Sequence, residues 1–158
     1  MQIIKQAFLL IAFFLIAITT YSQDKDIWSG EYILKSIESI PTDTIKIKKI
    51  PNLSKEDVAG RFESDLKRWE IYSENDDDKV SLRRFLFNEQ DDENEYEEFG
   101  WTALHVKGKM ECIDAGHFFI CQTTPNSQVT IDDESFFTET GVFGIRLHYG
   151  LFQLEKLK

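Results

Sequence analysis

Residues 28–35 read WSGEYILK, and their apolar side chains recur at every second position. Trp28, Tyr32 and Leu34 share one face of an extended chain with Gly30, whereas the charged side chains of this segment point to the other face. A period of two is typical of a β-strand with one buried face. The segment therefore predicts a first strand whose aromatic and aliphatic side chains pack into a core.

The same alternation returns in residues 44–50, where Ile45 and Ile47 alternate with Lys46 and Lys48. Pro51 ends the run, because proline cannot donate a hydrogen bond to a neighbouring strand. We expect this second strand to pair antiparallel with the first.

The spacing of apolar residues then changes to three and four, which is typical of an amphipathic helix. Ser54 and Asp57 stand three residues apart, as the two members of a capping box do. We predict a helix over residues 55–67 that packs on the sheet. Its apolar positions, together with one just beyond it, are Val58, Phe62, Leu66 and Trp69.

The rest of the chain predicts further strands separated by polar turns. We expect β-structure over residues 69–73, 80–87, 101–113, 118–122, 129–131, 143–147 and 151–157, with an acidic loop over 89–98. Because residues 118–121 are all apolar, their strand should be central and covered on both faces, one of them by the helix. The fold class predicted is mostly β, a β-barrel or strongly curved antiparallel sheet with one helix packed on it.

The last two strands leave two alternatives open. A two-residue turn at Tyr149 and Gly150 makes a hairpin that pairs Ile145 with Leu154, which keeps apolar side chains on one face. A single bent strand is the alternative.

The N-terminus has the order of a secretory signal peptide. Lys5 precedes an apolar run over residues 7–18, and polar residues follow up to Gln23. This run is shorter than the roughly 20 residues that span a bilayer, so we expect cleavage rather than an uncleaved anchor. The prediction is a signal peptide over residues 1–23, a single β-rich domain over 24–158, and a secreted or periplasmic protein without a membrane span.

The chain is acidic, with 18 basic and 28 acidic residues and a net charge of −10. Loss of Lys5 with the leader would make the net charge −11. Such a surface repels phosphate backbones and anionic lipids, which excludes nucleic acid as an expected partner. A basic protein is the partner that this charge favours.

Cys112 and Cys121 are the two cysteines. A two-residue turn at Ala115 and Gly116 would place them diagonally, beyond ordinary disulfide reach, whereas a wider loop would place them directly opposite each other. We expect a disulfide, since oxidising compartments favour it. A catalytic thiol beside His117 is the alternative.

Motifs for catalysis, metals and cofactors are missing from the sequence. The three histidines lack the spacing of metal ligands, and the acidic runs lack the order of a calcium loop. There is no G-x-S-x-G, phosphate loop or C-x-x-C. We therefore predict no catalytic residue, no metal site and no cofactor.

The spacing of Trp28, Gly30 and Tyr32 resembles the first strand of lipocalin-like barrels, in which a tryptophan near the N-terminus closes one end. The resemblance implies a basic residue late in the chain that packs on this tryptophan, and Arg146 is the matching candidate. It also implies the binding of a small apolar molecule.

Three functions follow. The first is an exported binding or inhibitory protein of the cell envelope, whose acidic surface attracts a basic protein such as a secreted hydrolase or toxin. The second is a lipocalin-like carrier with an apolar pocket lined by Trp28, Tyr32, Trp101 and Phe143. The third is an enzyme built on Cys112, His117 and acidic groups.

Overall fold

The computed structural model describes residues 26–36, 43–58, 66–73, 79–88, 93–131, 133–146 and 150–157. Within these ranges the chain is mostly β, as predicted, with one short α-helix. The elements are β1 (Gly30–Ser36), β2 (Asp43–Lys49), a 3-10 turn (Lys55–Asp57), β3 (Arg68–Ser73), β4 (Val80–Arg84), β5 (Phe87–Asn88), β6 (Glu93–Asn94), α1 (Thr102–Val106), β7 (Met110–Asp114), β8 (Phe118–Thr123), β9 (Ser127–Ile131), β10 (Glu134–Thr138), β11 (Val142–Arg146) and β12 (Gly150–Lys156). The predicted signal peptide lies outside the described residues, and none of the helices described has the length and apolar character needed to cross a bilayer.

Eight antiparallel strands form a closed barrel in the order β1-β12-β11-β8-β7-β4-β3-β2. β1 pairs with β2, as predicted, and on its other edge with β12, where Leu34 lies opposite Leu154. Closure satisfies the backbone groups of what would otherwise be two edge strands. The architecture is compatible with a lipocalin-like fold.

The barrel interior is filled by its own side chains. Alternate residues of each strand point inward, and the side chains of Leu82, Ile113, Ile120 and Leu154 are 0 % exposed. At Gly144 a Cβ atom would lie 2.1 Å from the ring of Phe152, so the missing side chain makes room for that aromatic ring. Interiors of eight-stranded barrels are just wide enough for side chains to fill them.

A second apolar core covers the outer face of β7, β8 and β11. It is built by residues 85–88 and 93–110 and by the β9–β10 hairpin. Its buried members are Phe85, Tyr96, Trp101, Met110, Cys112, Cys121, Val129 and Phe143. The prediction that residues 118–122 form a central strand with both faces covered is confirmed, but this layer provides the outer cover in place of the predicted helix.

The predicted helix is wrong over the residues described. Residues 55–57 form a single 3-10 turn, and Val58 returns to extended backbone with φ −128° and ψ 118°. Ser54 and Asp57 do make the predicted capping contact, since the Ser54 amide donates to the Asp57 carboxylate at 2.8 Å. Residues 59–65 lie outside the description.

The α-helix occurs where a long strand was predicted. α1 ends in a Schellman motif, in which the amide of Lys109 donates to the carbonyl of Leu104 at 2.8 Å and Gly108 takes a φ of +65°. Gly108 is the residue that stops the helix, because glycine adopts this left-handed conformation without a steric penalty. The strand then begins at Met110 rather than at Trp101.

Residues 93–98, the described part of the predicted acidic loop, are more structured than predicted. Tyr96 is 1 % exposed, and its ring stacks on His105 with centroids 4.0 Å apart. Glu95 accepts hydrogen bonds from both the side chain of Arg83 and the amide of Leu86. The buried ring of Tyr96 and the hydrogen bonds of Glu95 together hold this segment on the outer core.

The hairpin of β11 and β12 replaces the bent-strand alternative, but its register differs from the prediction. Ile145 pairs with Leu151 rather than with Leu154, and Arg146 pairs with Gly150. The connection therefore spans residues 147–149, which are not described. Because the shift is an odd number of residues, Phe143 faces the outer core instead of the barrel interior.

The turn between β7 and β8 lies one residue later than predicted. The amide of Ala115 donates to the carbonyl of Phe118 at 3.0 Å, which makes Gly116 and His117 the two turn residues. Gly116 has a φ of +88°, as the first position of such a hairpin turn requires.

This register places Cys112 directly opposite Cys121, and the predicted disulfide is present with the Cα atoms 4.1 Å apart. Both cysteines are buried in the outer core. The hydroxyl of Tyr96 accepts the amide hydrogen of Cys112 at 3.0 Å, so the disulfide also lies where the outer layer attaches to the barrel.

Arg83 forms ion pairs with both the barrel and the outer layer. Its guanidinium lies 2.9 Å from the carboxylate of Asp114 on β7 and 2.8 Å from that of Glu95 in the outer layer. The Arg83 side chain is only 10 % exposed, so its charge depends on these two carboxylates.

Reduction of the Cys112–Cys121 disulfide should lower the free energy of unfolding by roughly 2–3 kcal/mol, because a short loop is released in the unfolded chain. Urea denaturation of the oxidised and reduced protein measures this difference. The double variant Cys112→Ala/Cys121→Ala should show no further loss on reduction. Equal stability of the oxidised and reduced wild type would contradict the prediction.

Replacement of Arg83 by Met should destabilise the fold by about 3 kcal/mol, because Glu95 and Asp114 are left without their cation. Lys79→Met is the control, since Lys79 pairs with Glu70 at an exposed site at 3.5 Å. The control should cost less than about 1 kcal/mol. Chemical denaturation measures the free energy of unfolding of both variants. Similar losses of stability in Arg83→Met and Lys79→Met would argue against a buried ion-pair network around Arg83.

Candidate functional site

One end of the barrel holds a cavity of about 350 Å³. We call this end the barrel mouth; β1 begins there and β2 and β4 end there. The cavity lies between the N-terminal segment and the strand ends. Its lining residues are Asp26, Ile27, Trp28, Lys49, Lys67, Trp69, Arg84 and Glu111.

The charged lining follows from the alternation of the strands. A residue two positions from an inward-pointing core residue points to the same side of the sheet. Lys49 stands two residues beyond the core residue Ile47, and Arg84 stands two beyond Leu82. Lys67 and Glu111 bear the same relation to Trp69 and Ile113 on the strands that begin at this end. The apolar interior thus ends in a charged rim.

Asp26 holds the N-terminal segment across the barrel mouth by hydrogen bonds. Its Oδ1 atom accepts hydrogen bonds from the amide of Trp28 at 3.1 Å, the amide of Ser29 at 3.2 Å and the indole Nε1 of Trp69 at 3.1 Å. Burial alone would raise the pKa of the Asp26 carboxyl, but the hydrogen bonds from Ser29, Trp69 and Trp28 outweigh it and hold that pKa below its usual value.

The hydroxyl of Tyr32 also binds the N-terminal segment. It donates to the carbonyl of Trp28 at 2.7 Å. Burial, together with the nearby charge of Asp26, raises the pKa of Tyr32 to about 12, so the phenol stays protonated and able to donate.

The basic residue beside this closure is Lys156, not Arg146. Lys156 Nζ donates to the carbonyl of Ile27 at 3.2 Å and lies 5.4 Å from the centre of the Tyr32 ring. A Cβ atom at Gly30 would lie 2.6 Å from Cε of Lys156, which gives a physical reason for the glycine between Trp28 and Tyr32. Arg146 pairs with Phe118 and Gly150 at the opposite end of the barrel.

Two cations of the mouth have no counter-ion in the described part of the chain. Neither Lys49 nor Arg84 forms an ion pair with a described residue. Glu111 also faces the cavity, and its carboxylate lies 3.5 Å from Nδ1 of His105. The mouth therefore concentrates positive groups on a protein whose net charge is −10.

A groove of about 470 Å³ adjoins the mouth on the outside of the barrel. Lys67 and Arg84 line both spaces, so the two are neighbours. Leu66 and the segment from Phe85 to Phe87 give the groove apolar walls, while Asn88 and Glu93 supply polar ones.

The structure does not gather the four aromatic residues predicted to line a ligand pocket. Trp28 and Tyr32 belong to the barrel core, whereas Trp101 and Phe143 belong to the outer core, where their rings lie 5.8 Å apart. Of the four, Trp28 lines the mouth cavity. Ligand contact by any of them stays a prediction.

Sequence reasoning missed Lys49, Lys67, Arg84 and Glu111. The signal was present, because each continues the inward alternation of its strand beyond the apolar run. Which strand ends share one end of the barrel depends on the pairing order, and the sequence does not supply that order.

Catalytic and metal chemistry have little support among the described residues. They contain no group of three or more His, Cys, Asp or Glu side chains placed to hold a metal ion. Cys112 is in the disulfide and has no free thiol, while His117 is exposed in the β7–β8 turn.

Asp26→Asn should lower the free energy of unfolding by about 1 kcal/mol at pH 7, because hydrogen bonds to a charged acceptor are replaced by weaker ones. The folded-state pKa of Asp26 is below the 3.8 that an aspartate has in an unfolded chain, so its contribution is present above that pH and is lost as the pH falls through the folded-state pKa.

The difference between wild type and Asp26→Asn should therefore shrink below about pH 3.8. Urea denaturation from pH 7 to pH 3 measures it. Glu155→Gln, which alters an exposed pair with Lys35, is the control and should change stability by less than about 0.5 kcal/mol. A constant difference between wild type and Asp26→Asn over this range would contradict the prediction.

Comparisons with known proteins found no matching family model, no matching curated protein and no matching solved structure.

Proposed function

We propose that this protein is a non-enzymatic binding protein that holds a small ligand at the mouth of its barrel. The observation that carries the proposal is the cavity of about 350 Å³ between the N-terminal segment and the strand ends. Its volume falls within the range of small-molecule sites, roughly 300–1,000 Å³. A barrel is also a fold compatible with ligand binding.

The filled interior favours the mouth over the barrel centre. Leu82, Ile113 and Ile120 leave no exposed surface at the centre, whereas Lys49 and Arg84 border open space at the mouth. Trp28 and Trp69 are 3 % and 4 % exposed, so they offer a ligand little open surface. This argues against a carrier of a purely apolar molecule within the barrel.

Export forms part of the proposal. The signal-peptide pattern of residues 1–23 supports a site of action in the periplasm or outside the cell. The disulfide is consistent with an oxidising compartment, where such bonds persist.

A second candidate is the binding or inhibition of a basic protein in the cell envelope. The net charge of −10 favours it, because electrostatic attraction steers oppositely charged partners together. Such binding should weaken steeply as the ionic strength rises from about 0.05 M to about 0.5 M, since salt screens exposed charges. Binding at the mouth does not share this dependence when its ligand is neutral.

The three tryptophans allow a direct test of the mouth. Trp28 and Trp69 line the cavity and Trp101 lies in the outer core, so their indole N–H signals report on separate places. A library of neutral, cationic and anionic fragments is titrated into isotope-labelled protein and followed by two-dimensional NMR. Fragments that bind should shift the indole signals of Trp28 and Trp69 and leave that of Trp101 in place.

Trp101 serves as the internal control in this experiment, because the same protein carries all three reporters. A library without any binder, or fragments that shift Trp101 alone, would contradict binding at the mouth.

A further inference from the structure

We propose that the ligand of the barrel mouth is an organic anion with an apolar body. Its negative group binds between Lys49 and Arg84, and its apolar body lies in the adjoining groove between Leu66 and Phe85. This inference rests on the proposed function and specifies the class of ligand.

The charge of the mouth is the first reason. Lys49, Lys67 and Arg84 converge on one cavity of an acidic protein, and cations that converge in a cleft attract anions. Lys49 and Arg84 form no ion pair with any described residue, so an anion need not displace a described carboxylate from either.

The two carboxylates of the mouth are the second consideration. Asp26 already accepts three N–H groups through one oxygen, which holds it against the N-terminal segment and Trp69. Glu111 lies on β7 beside His105, at 3.5 Å from Nδ1. Asp26 and Glu111 thus each have a polar partner. Lys49 and Arg84 pair with neither of them and remain available to a ligand.

The route from the mouth to the groove is the third reason. β4 ends at Arg84, and the next amide, that of Phe85, donates to the carbonyl of Cys112 at 3.0 Å as the chain leaves the barrel sheet. Arg84 lines both the mouth and the groove, and the apolar residues 85–87 that follow it line the groove. Leu66 stands on the groove beside Lys67, which also lines the mouth. A ligand that binds both spaces needs a charged group joined to an apolar body.

Two fluorescent probes separate charge from apolar character. 8-Anilinonaphthalene-1-sulfonate and N-phenyl-1-naphthylamine share an aromatic body, and only the first carries a negative group. We expect the folded protein to bind the sulfonate on the order of tenfold more tightly than the neutral probe, because charge-assisted contacts to Lys49 and Arg84 add to the same apolar contact.

Variants assign the effect to the mouth. Lys49→Gln and Arg84→Gln should each weaken sulfonate binding on the order of tenfold and leave the affinity for the neutral probe unchanged. Lys48→Gln is the matched control, because Lys48 lies on the same strand with its side chain exposed on the opposite face. It should alter neither affinity. Leu66→Asn should weaken both probes, since it makes the groove polar.

Each titration is accompanied by near-ultraviolet circular dichroism, because the sulfonate probe also binds partly unfolded protein. If either Lys49→Gln or Arg84→Gln fails to fold, the other variant still tests the inference. Equal affinity for the two probes, or sulfonate binding that persists in both folded cation variants, would overturn the inference. If this happens and fragments still shift the indole signals of Trp28 and Trp69, the mouth binds a ligand but not an anion of this kind. If fragments do not shift these signals either, the proposed binding at the mouth is also wrong.

Discussion

The pairing of β1 with β12 closes the sheet on itself, and the rest of the structure depends on it. The amide of Leu157 donates to the carbonyl of Glu31 at 2.7 Å, extending the ladder beyond the last paired residues of the two strands. Once the sheet is closed, every strand has an inner and an outer side, and its alternation decides which side chains meet in the interior. Side chains such as Tyr32 and Leu154 fill that interior, and the same alternation carried to the strand ends produces the charged mouth. Core and candidate site therefore have one geometric origin.

β8 is apolar on both faces, so its outer face must also be buried. The outer layer covers that face. Trp101 links this cover to the β9–β10 hairpin through its indole, which donates to the carbonyl of Thr130 at 2.7 Å. Gln153 on β12 reaches the hairpin from the barrel, since its amide donates to the carbonyl of Phe137 at 3.0 Å. Arg83 on β4 also attaches this layer through Glu95, and the amide of Cys112 on β7 does so through the hydroxyl of Tyr96.

The sequence allows most strands and the mostly β class to be predicted, because alternation is a local signal, and it allows the disulfide to be predicted from the oxidising compartment that export implies. It does not allow the register to be predicted where a turn of uncertain length intervenes, so the predicted pairing of Ile145 with Leu154 was wrong. Short elements held by tertiary contacts were also missed, such as α1 with its stop at Gly108 and the buried Tyr96 within an acidic run. The candidate site depends on which strand ends meet in space. For the same reason the basic residue at the closure is Lys156 on the last strand and not Arg146.

The closed ladder is tested most directly by nuclear Overhauser effects between β1 and β12. The hydrogen bond from Leu157 to Glu31 makes Leu34 and Leu154 a non-hydrogen-bonded pair, in which Cα atoms lie about 4.5 Å apart and the Hα atoms face each other. The account predicts a strong cross-peak between the Hα atoms of Leu34 and Leu154, with slow exchange of the β1 and β12 amides. Absence of this cross-peak, with fast exchange along both strands, would mean an open sheet and would contradict the account.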